Sequence, residues 1–235
     1  MSLVFTPVQV RAGPPVWPVT LAGTGISDLD RLTSGLREQS LWVVAGLPRS
    51  GRSMLLVQLV CRLAAAGVPV RFVLGRDGAA EVVARVRAGS LGRSLSQCRR
   101  DAPSGSEQWL GWPLHFDPDR SRHSTRDWDP PPGGALLIDD LDLWDDPALE
   151  VAAAARTWAN HPGRIVVVAV PSHVLQRDDP AAWQTWVRLA DVIVEIGPDS
   201  DGAAPLRLLS HRAGPVGTVE VRIDFERATL STADL

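Results

Sequence analysis

An apolar run, Leu41-Trp42-Val43-Val44-Ala45, leads directly into Gly46-Leu47-Pro48-Arg49-Ser50-Gly51-Arg52-Ser53, and a second apolar stretch, Met54 to Val60, follows. A buried strand, a glycine-bracketed loop and a helix, in that order, are the setting of a phosphate-binding loop. There, consecutive backbone N–H groups converge on an anion and the helix N-terminus adds its partial positive charge. The octet meets the pattern GxxxxGK[ST] at every defined position but one: Arg52 stands where the pattern has lysine. Arginine keeps the charge and can grip phosphate through two N–H groups, but it is longer and planar. Gly46, Arg49, Ser50, Gly51, Arg52 and Ser53 are therefore the expected phosphate-binding residues, with Ser53 also the expected magnesium-binding hydroxyl. An ordinary glycine turn between strand and helix is the plainer alternative.

The remaining chain supplies an α/β framework for this loop. Apolar, β-branched runs predict strands over 41–45, 68–74, 135–138, 165–170 and 190–196, and a shorter one over 114–117. Residues 24–30 carry an N-cap signature leading into a short helix, and helices are predicted over 54–66, 81–88 and 147–158, the last opened by Asp145, Asp146 and Pro147. Segments 206–210 and 218–225 suit a closing antiparallel hairpin. Continuous apolar strands alternating with helices argue for a mostly parallel sheet covered on both faces. The segment 90–106 reads as polar and arginine-rich, and 121–134 as a Pro/Gly/Asp-rich loop. Residues 1–23 read as an extended arm and 24–230 as one domain.

Ala135-Leu136-Leu137-Ile138-Asp139-Asp140 is a buried strand ending in two carboxylates. Asp139 is placed to orient a magnesium-bound water, with Asp140 or Asp142 as alternatives and a solvated acidic loop as the bland reading. Composition narrows the partners. All 24 basic residues are arginine, and the net charge is −3. That is not the basic surplus of a typical nucleic-acid binder. No apolar stretch approaches the roughly 18 residues of a membrane span. Cys61 and Cys98 provide no disulfide framework, so a reducing, cytoplasmic setting is expected. The arginines Arg93, Arg99 and Arg100 suit a solvated face. Trp109, Trp112, Trp128, Trp144, Trp158, Trp183 and Trp186 lie outside the predicted core strands, as core filling or as a partner-binding or base-stacking surface.

Five blocks resemble, in order, the C-terminal RecA-like motor domain of the bacterial replicative helicase (DnaB) family. Residues 24–36, TGISDLDRLTSGL, are similar to that domain's opening segment TGxxxLDxxTGGL. Residues 113–117, 135–143, 189–193 and 211–219 are similar to its PLYIDD, LIVIDYLQL, QDADVV and KxRNGPTGTV segments. The resemblance implies a RecA-like P-loop NTPase fold binding ATP and Mg²⁺, with Ser53 and Asp139 at the metal. It also implies that Arg212 reaches a neighbouring subunit's nucleotide in a ring; a folding role for the Gly-Pro turn beside it is the alternative. The family's N-terminal helical domain has no counterpart in residues 1–23.

The departures matter as much. The family's catalytic glutamate ends the second strand in FSLEM, where this chain has Phe72-Val73-Leu74-Gly75-Arg76. Asp77 or Glu81 could substitute only from displaced positions. The family's glutamine sensor becomes Pro171-Ser172-His173, and the first basic residue of KxRNGP becomes Ser210. The segments expected to contact DNA, 143–164 and 175–190, read as short and without excess positive charge, which disfavours a DNA-translocating ring. The expectation is a nucleotide-binding protein with weak or absent hydrolysis, working through a protein partner or self-association. An active ATPase or helicase, a sensor of another nucleotide such as a cyclic dinucleotide, and a scaffold with a vestigial loop are the rivals.

Overall fold

The computed structural model describes residues 18–117, 133–141 and 146–233. A short β1 (Thr20–Ala22) pairs antiparallel with β2 (Leu36–Arg37) across α1 (Ser27–Thr33). The chain then enters β3 (Ser40–Gly46), whose every residue is buried, and passes through the loop into α2 (Arg52–Ala65). Next come β4 (Val70–Val73), α3 (Ala79–Leu91), α4 (Leu95–Arg100) and β5 (Leu114–Asp117). After these follow β6 (Gly134–Ile138), α5 (Ala148–Ala159), β7 (Arg164–Pro171), α6 (Pro180–Leu189) and β8 (Val192–Ile196). The described fold ends with β9 (Ala203–His211), β10 (Gly217–Asp224) and β11 (Thr229–Thr232).

One 9-stranded sheet has the order β11-β10-β9-β8-β3-β7-β6-β4-β5. The strands from β8 to β5 run parallel, and β9, β10 and β11 add antiparallel to the β8 edge. The pleat sorts the strand residues. Trp42, Val44, Leu137, Val167 and Ala169 pack with α2 and α3 on one face. Leu41, Val43, Ala45, Leu136, Ile138, Val166, Val168 and Val170 pack with α5 and α6 on the other. Because successive side chains point to opposite faces, only strands apolar at every position can serve a sheet covered on both sides. The carboxyl ends of β3, β4, β6 and β7 meet along one edge, where open α/β sheets bind ligands.

Two segments differ from the sequence expectation. Within 90–106 the chain forms α4, started by a capping box in which Ser94 Oγ accepts from Gln97 N–H at 3.2 Å. Within 175–190 it forms α6, capped by Asp179 and opened by Pro180, with Trp186 fully buried beneath it. Of the tryptophans outside the predicted core strands, Trp109 and Trp112 pack against one core cluster and Trp158 and Trp183 against the other. Trp158 also carries the Arg164 guanidinium 5.0 Å above its ring. Trp128, Trp144, Asp142 and the 121–132 part of the predicted loop lie outside the described residues.

A buried ion pair ties α3 to the segment after α4. Arg87 Nε and Nη2 donate to the two Glu107 oxygens at 2.9 and 2.8 Å. Arg87 also donates to the carbonyls of Cys98, Asp101 and Ala102, and Trp109 Nε1 donates to Glu107 at 2.6 Å. Those charge-assisted bonds hold the Glu107 carboxyl down at about 2, well below the usual carboxylate range. Arg93, Arg99 and Arg100 are exposed, as expected of a solvated face, and Arg99 pairs there with Glu81 at 2.7 Å.

Gln58 stitches the far strand to the core. From α2 its side chain donates to Thr24 O and Leu230 O, each at 3.0 Å, and accepts from Leu230 N–H at 2.7 Å. A Gln58→Leu change leaves these buried backbone groups unpaired. It is expected to cost about 2–4 kcal/mol, read as a lowered urea midpoint at unchanged m-value. A shift under about 0.5 kcal/mol would rule out the stitch as a stabilising element.

Candidate functional site

The loop starts on Gly46, the last residue of β3. A Cβ there would lie 2.3 Å from Ser50 Oγ, so glycine alone lets Ser50 turn inward. Ser50 is buried, and its Oγ finds no hydrogen-bond partner among the described residues. Arg49 and Gly51 both sit in the left-handed region, with φ of 67° and 96°. Left-handed residues interspersed along such a loop turn successive N–H groups to its concave side, which is how backbone makes an anion nest. Ile223 of β10 packs 3.5 Å from where a Gly51 Cβ would lie, bracing the loop from the antiparallel side of the sheet.

Arg52 opens α2 with its side chain only 11% exposed. Nη2 donates to Asp140 Oδ1 at 3.3 Å, while Nη1 is buried without a partner among the described residues. Asp139, at the end of β6, is 3% exposed; its Oδ1 accepts from Asp140 N–H at 3.0 Å, and the Ser53 hydroxyl lies beside its carboxylate. Burial first, and the neighbouring Asp140 charge second, push the Asp139 carboxyl up to about 6, against the Ser53 hydrogen bond and the Arg52 charge. The loop, Arg52, Ser53 and Asp140 line a cleft of about 720 Å³ whose walls include Arg49, Arg76, Asp77, His173 and Phe225. Phe225, 48% exposed at the turn after β10, is a cleft residue that sequence reasoning missed; a lone aromatic after a strand carries no motif.

The donor set fits a magnesium-bound phosphate. A buried hydroxyl and a buried guanidinium nitrogen remain without protein acceptors among the described residues. Beside them a carboxylate is buried next to a second carboxylate at raised proton affinity, as one awaiting a cation would be. Metal and phosphate together would meet all of these needs.

The other sequence candidates fall elsewhere. Asp77 reaches the cleft wall but pairs with Arg85 at 2.7 Å. Glu81 turns away into bonds from Arg99 and Arg85, which hold its carboxyl below the usual range. Arg212 lies after β9, level with the start of β8, whereas the loop lies level with the end of β8. Its Nε pairs with Asp191 Oδ1 at 2.8 Å, and Nη2 donates to Arg188 O at 2.6 Å. Asp191 also accepts from Leu41 N–H and pairs with Arg156. Arg212 thus stands at the opposite end of the sheet from this chain's own phosphate loop.

No protein-family model matches the chain, and no curated protein matches it in sequence. Among solved structures, it is similar to the ATPase domain of a DnaB-like helicase, with a TM-score of 0.70 and 18% identity over 92% of this chain and 93% of that one. It is similar to the same degree to a DnaB-like replicative helicase described with its interactions with primase. There the TM-score is 0.71 and the identity 18%, over 92% of this chain but 63% of that one. No helix among the described residues is long and apolar enough to cross a membrane. The mostly parallel sheet, the loop between β3 and α2 and the antiparallel closing strands together give this chain the RecA-like P-loop fold of DnaB-like helicase ATPase domains.

Proposed function

We propose that the chain binds a nucleoside triphosphate, ATP first among candidates, with Mg²⁺ at Gly46–Ser53, and hydrolyses it slowly at most. One observation carries the reading: Ser53 meets Asp139 beside a loop whose Ser50 Oγ and Arg52 Nη1 are buried and unpaired among the described residues. Loop N–H groups, Ser50 and Arg52 take phosphate oxygens; Ser53 and Asp139 hold the metal and its water. The bound metal supplies charge neutralisation across the phosphates. Phe225 on the cleft wall offers a face for the base. The bound state is read by a partner protein or a second copy, since Leu47 and Phe225 leave apolar surface exposed around the loop. The neighbour described with primase makes a protein partner a natural expectation. DNA is disfavoured.

Calorimetry of ATP, ADP and GTP with Mg²⁺, on the natural protein and on Arg52→Ala, tests the reading. Micromolar binding that weakens at least about 10-fold in Arg52→Ala is the expected result, the loss of one charge-assisted bond. Absence of binding by all three would sink it and leave a ligand of other chemistry or a scaffold.

A further inference from the structure

Gly75 occupies the sequence position of the family's glutamate, yet the space beside it is not empty. β4 and β6 run parallel with Val73 beside Ile138, so Gly75 and Asp140 stand level two residues further on. A Cβ on Gly75 would lie 2.8 Å from Asp140 Cβ and 2.9 Å from Asp140 Oδ2. Real Cβ atoms do not approach that closely, and the obstructing Cβ is fixed to the backbone rather than at the free end of a side chain. The Asp140 side chain therefore fills the volume that a side chain at position 75 would take. It does so from a left-handed backbone, φ 48°, a conformation that Asp adopts more readily than most residues and that its surroundings hold here.

Three contacts hold the Asp140 side chain there. Arg52 Nη2 donates to Asp140 Oδ1, and Arg76 N–H donates to Oδ2 at 3.4 Å. The Arg76 guanidinium adds an ion pair at 3.8 Å. The carboxylate is mostly buried yet lines the cleft with Ser53. Arg52 also has a reason to be arginine here. One end of its planar fork holds Asp140, and the other, Nη1, is left for a ligand; a lysine offers one point charge for both tasks.

We propose that Asp140 supplies the carboxylate that the end of β4 lacks, accepting a hydrogen bond from the water that attacks the terminal phosphate. The proposal rests on nucleotide binding at Gly46–Ser53, the reading given above. The water oxygen bonds to the terminal phosphorus as the bond from that phosphorus to the bridging oxygen breaks. The bond's electron pair leaves with the nucleoside diphosphate. One water proton stays on the oxygen of the new P–O bond and the other moves to an oxygen of the transferred group, so the second product is dihydrogen phosphate. Asp140 aims the water, and Arg52 keeps Asp140 aimed. Gly75, Asp140 and Arg52 are then one rearrangement, in which the departures at Gly75 and Arg52 are joined by Asp140.

The test compares the natural protein with Asp140→Asn, Gly75→Glu and the double variant Gly75→Glu/Asp140→Gly. ATP and ADP affinity with Mg²⁺, single-turnover ATP hydrolysis and thermal melting are measured on each. Asp140→Asn should lower the single-turnover rate by about 10²-fold, the usual worth of a positioned carboxylate, while ATP affinity stays within about 3-fold. Gly75→Glu should melt several degrees lower, as overpacking does, and the double variant should recover both the melting temperature and turnover. Turnover unchanged in Asp140→Asn, ATP binding without any turnover in the natural protein, or Gly75→Glu melting with the natural protein would each overturn the proposal. No nucleotide binding by the natural protein would instead remove the reading beneath it. The two failures are told apart by the calorimetry, and melting reads the shared volume in either case.

Discussion

Arg87→Ala is expected to cost about 3–5 kcal/mol, the usual penalty for breaking a buried ion pair from one side, and to lower the melting temperature by about 10 °C. Removing the guanidinium leaves the buried Glu107 carboxylate, among the described residues, with the donors Trp109 Nε1 and Ser104 N–H, and strips the carbonyls of Cys98, Asp101 and Ala102 of the Arg87 donor. Glu107→Gln should be nearly as damaging, because it leaves the guanidinium buried against a neutral amide. Acid gives a gentler version of the same experiment. Glu107 titrates near 2 in the folded chain, far below its ordinary value of 4.5. Its contribution is therefore present in full above the unfolded value, and it is lost as the pH falls from there toward about 2. Melting curves from about pH 6 to about pH 2.5 should show a steep acid loss in the natural protein that is largely missing in Glu107→Gln. Parallel curves would mean that the pair adds nothing net.

Asp139→Asn is expected to remove the Mg²⁺-dependent part of nucleotide affinity while making the metal-free protein more stable at about pH 7.5. The folded carboxyl titrates near 6 instead of 3.8 because it is buried, and because Asp140 is charged beside it. With the folded value raised, its favourable contribution is complete below about 3.8 and lost as the pH rises through about 6. At about pH 7.5 the ionised side chain costs the metal-free protein about 3 kcal/mol, which an amide does not. Thermal melting in EDTA at about pH 7.5 and about pH 4.5, with calorimetry of ATP with and without Mg²⁺, checks both halves. The variant should melt higher at the upper pH, and the gap should narrow to about a third of its size at the lower. A variant that melts lower at both pH values would show that Asp139 is a structural acceptor rather than a metal-facing group.

The strands were legible because a two-faced parallel sheet demands apolar residues at consecutive positions. Few other settings tolerate Ile165 to Val170 or Ala135 to Ile138. The loop between β3 and α2 was legible because its glycines answer to local backbone geometry. What stayed hidden depended mostly on partners distant in sequence. Two helices are exceptions: at α6, Asp179 and Pro180 are a local helix start, and the likeness of the segment to a shortened DNA-contacting loop masked it. α4 likewise carried its signal in the Ser94–Gln97 capping box. β11 is only Thr229–Thr232, short enough that its pairing with β10 decides its state. Arg87 and Glu107 read as ordinary surface charges until the fold brings them together. The relation of Gly75 to Asp140 is a matter of register between β4 and β6, which no local pattern reveals.

The brace that Ile223 gives to Gly51 and the stitch from Gln58 to Leu230 also govern the order in which the site can come into being during synthesis. The stitch spans 172 positions of the chain. β3, α2 and β4 can begin to associate early, but contacts between residues so far apart form only after a large loop-closure cost has been met. While residues 217–232 are still within the ribosome, the loop at Gly46–Ser53 has neither its brace nor the strands behind it. On the proposed function, nucleotide would bind only after β10 and β11 have joined the sheet, and its binding would slow their fraying.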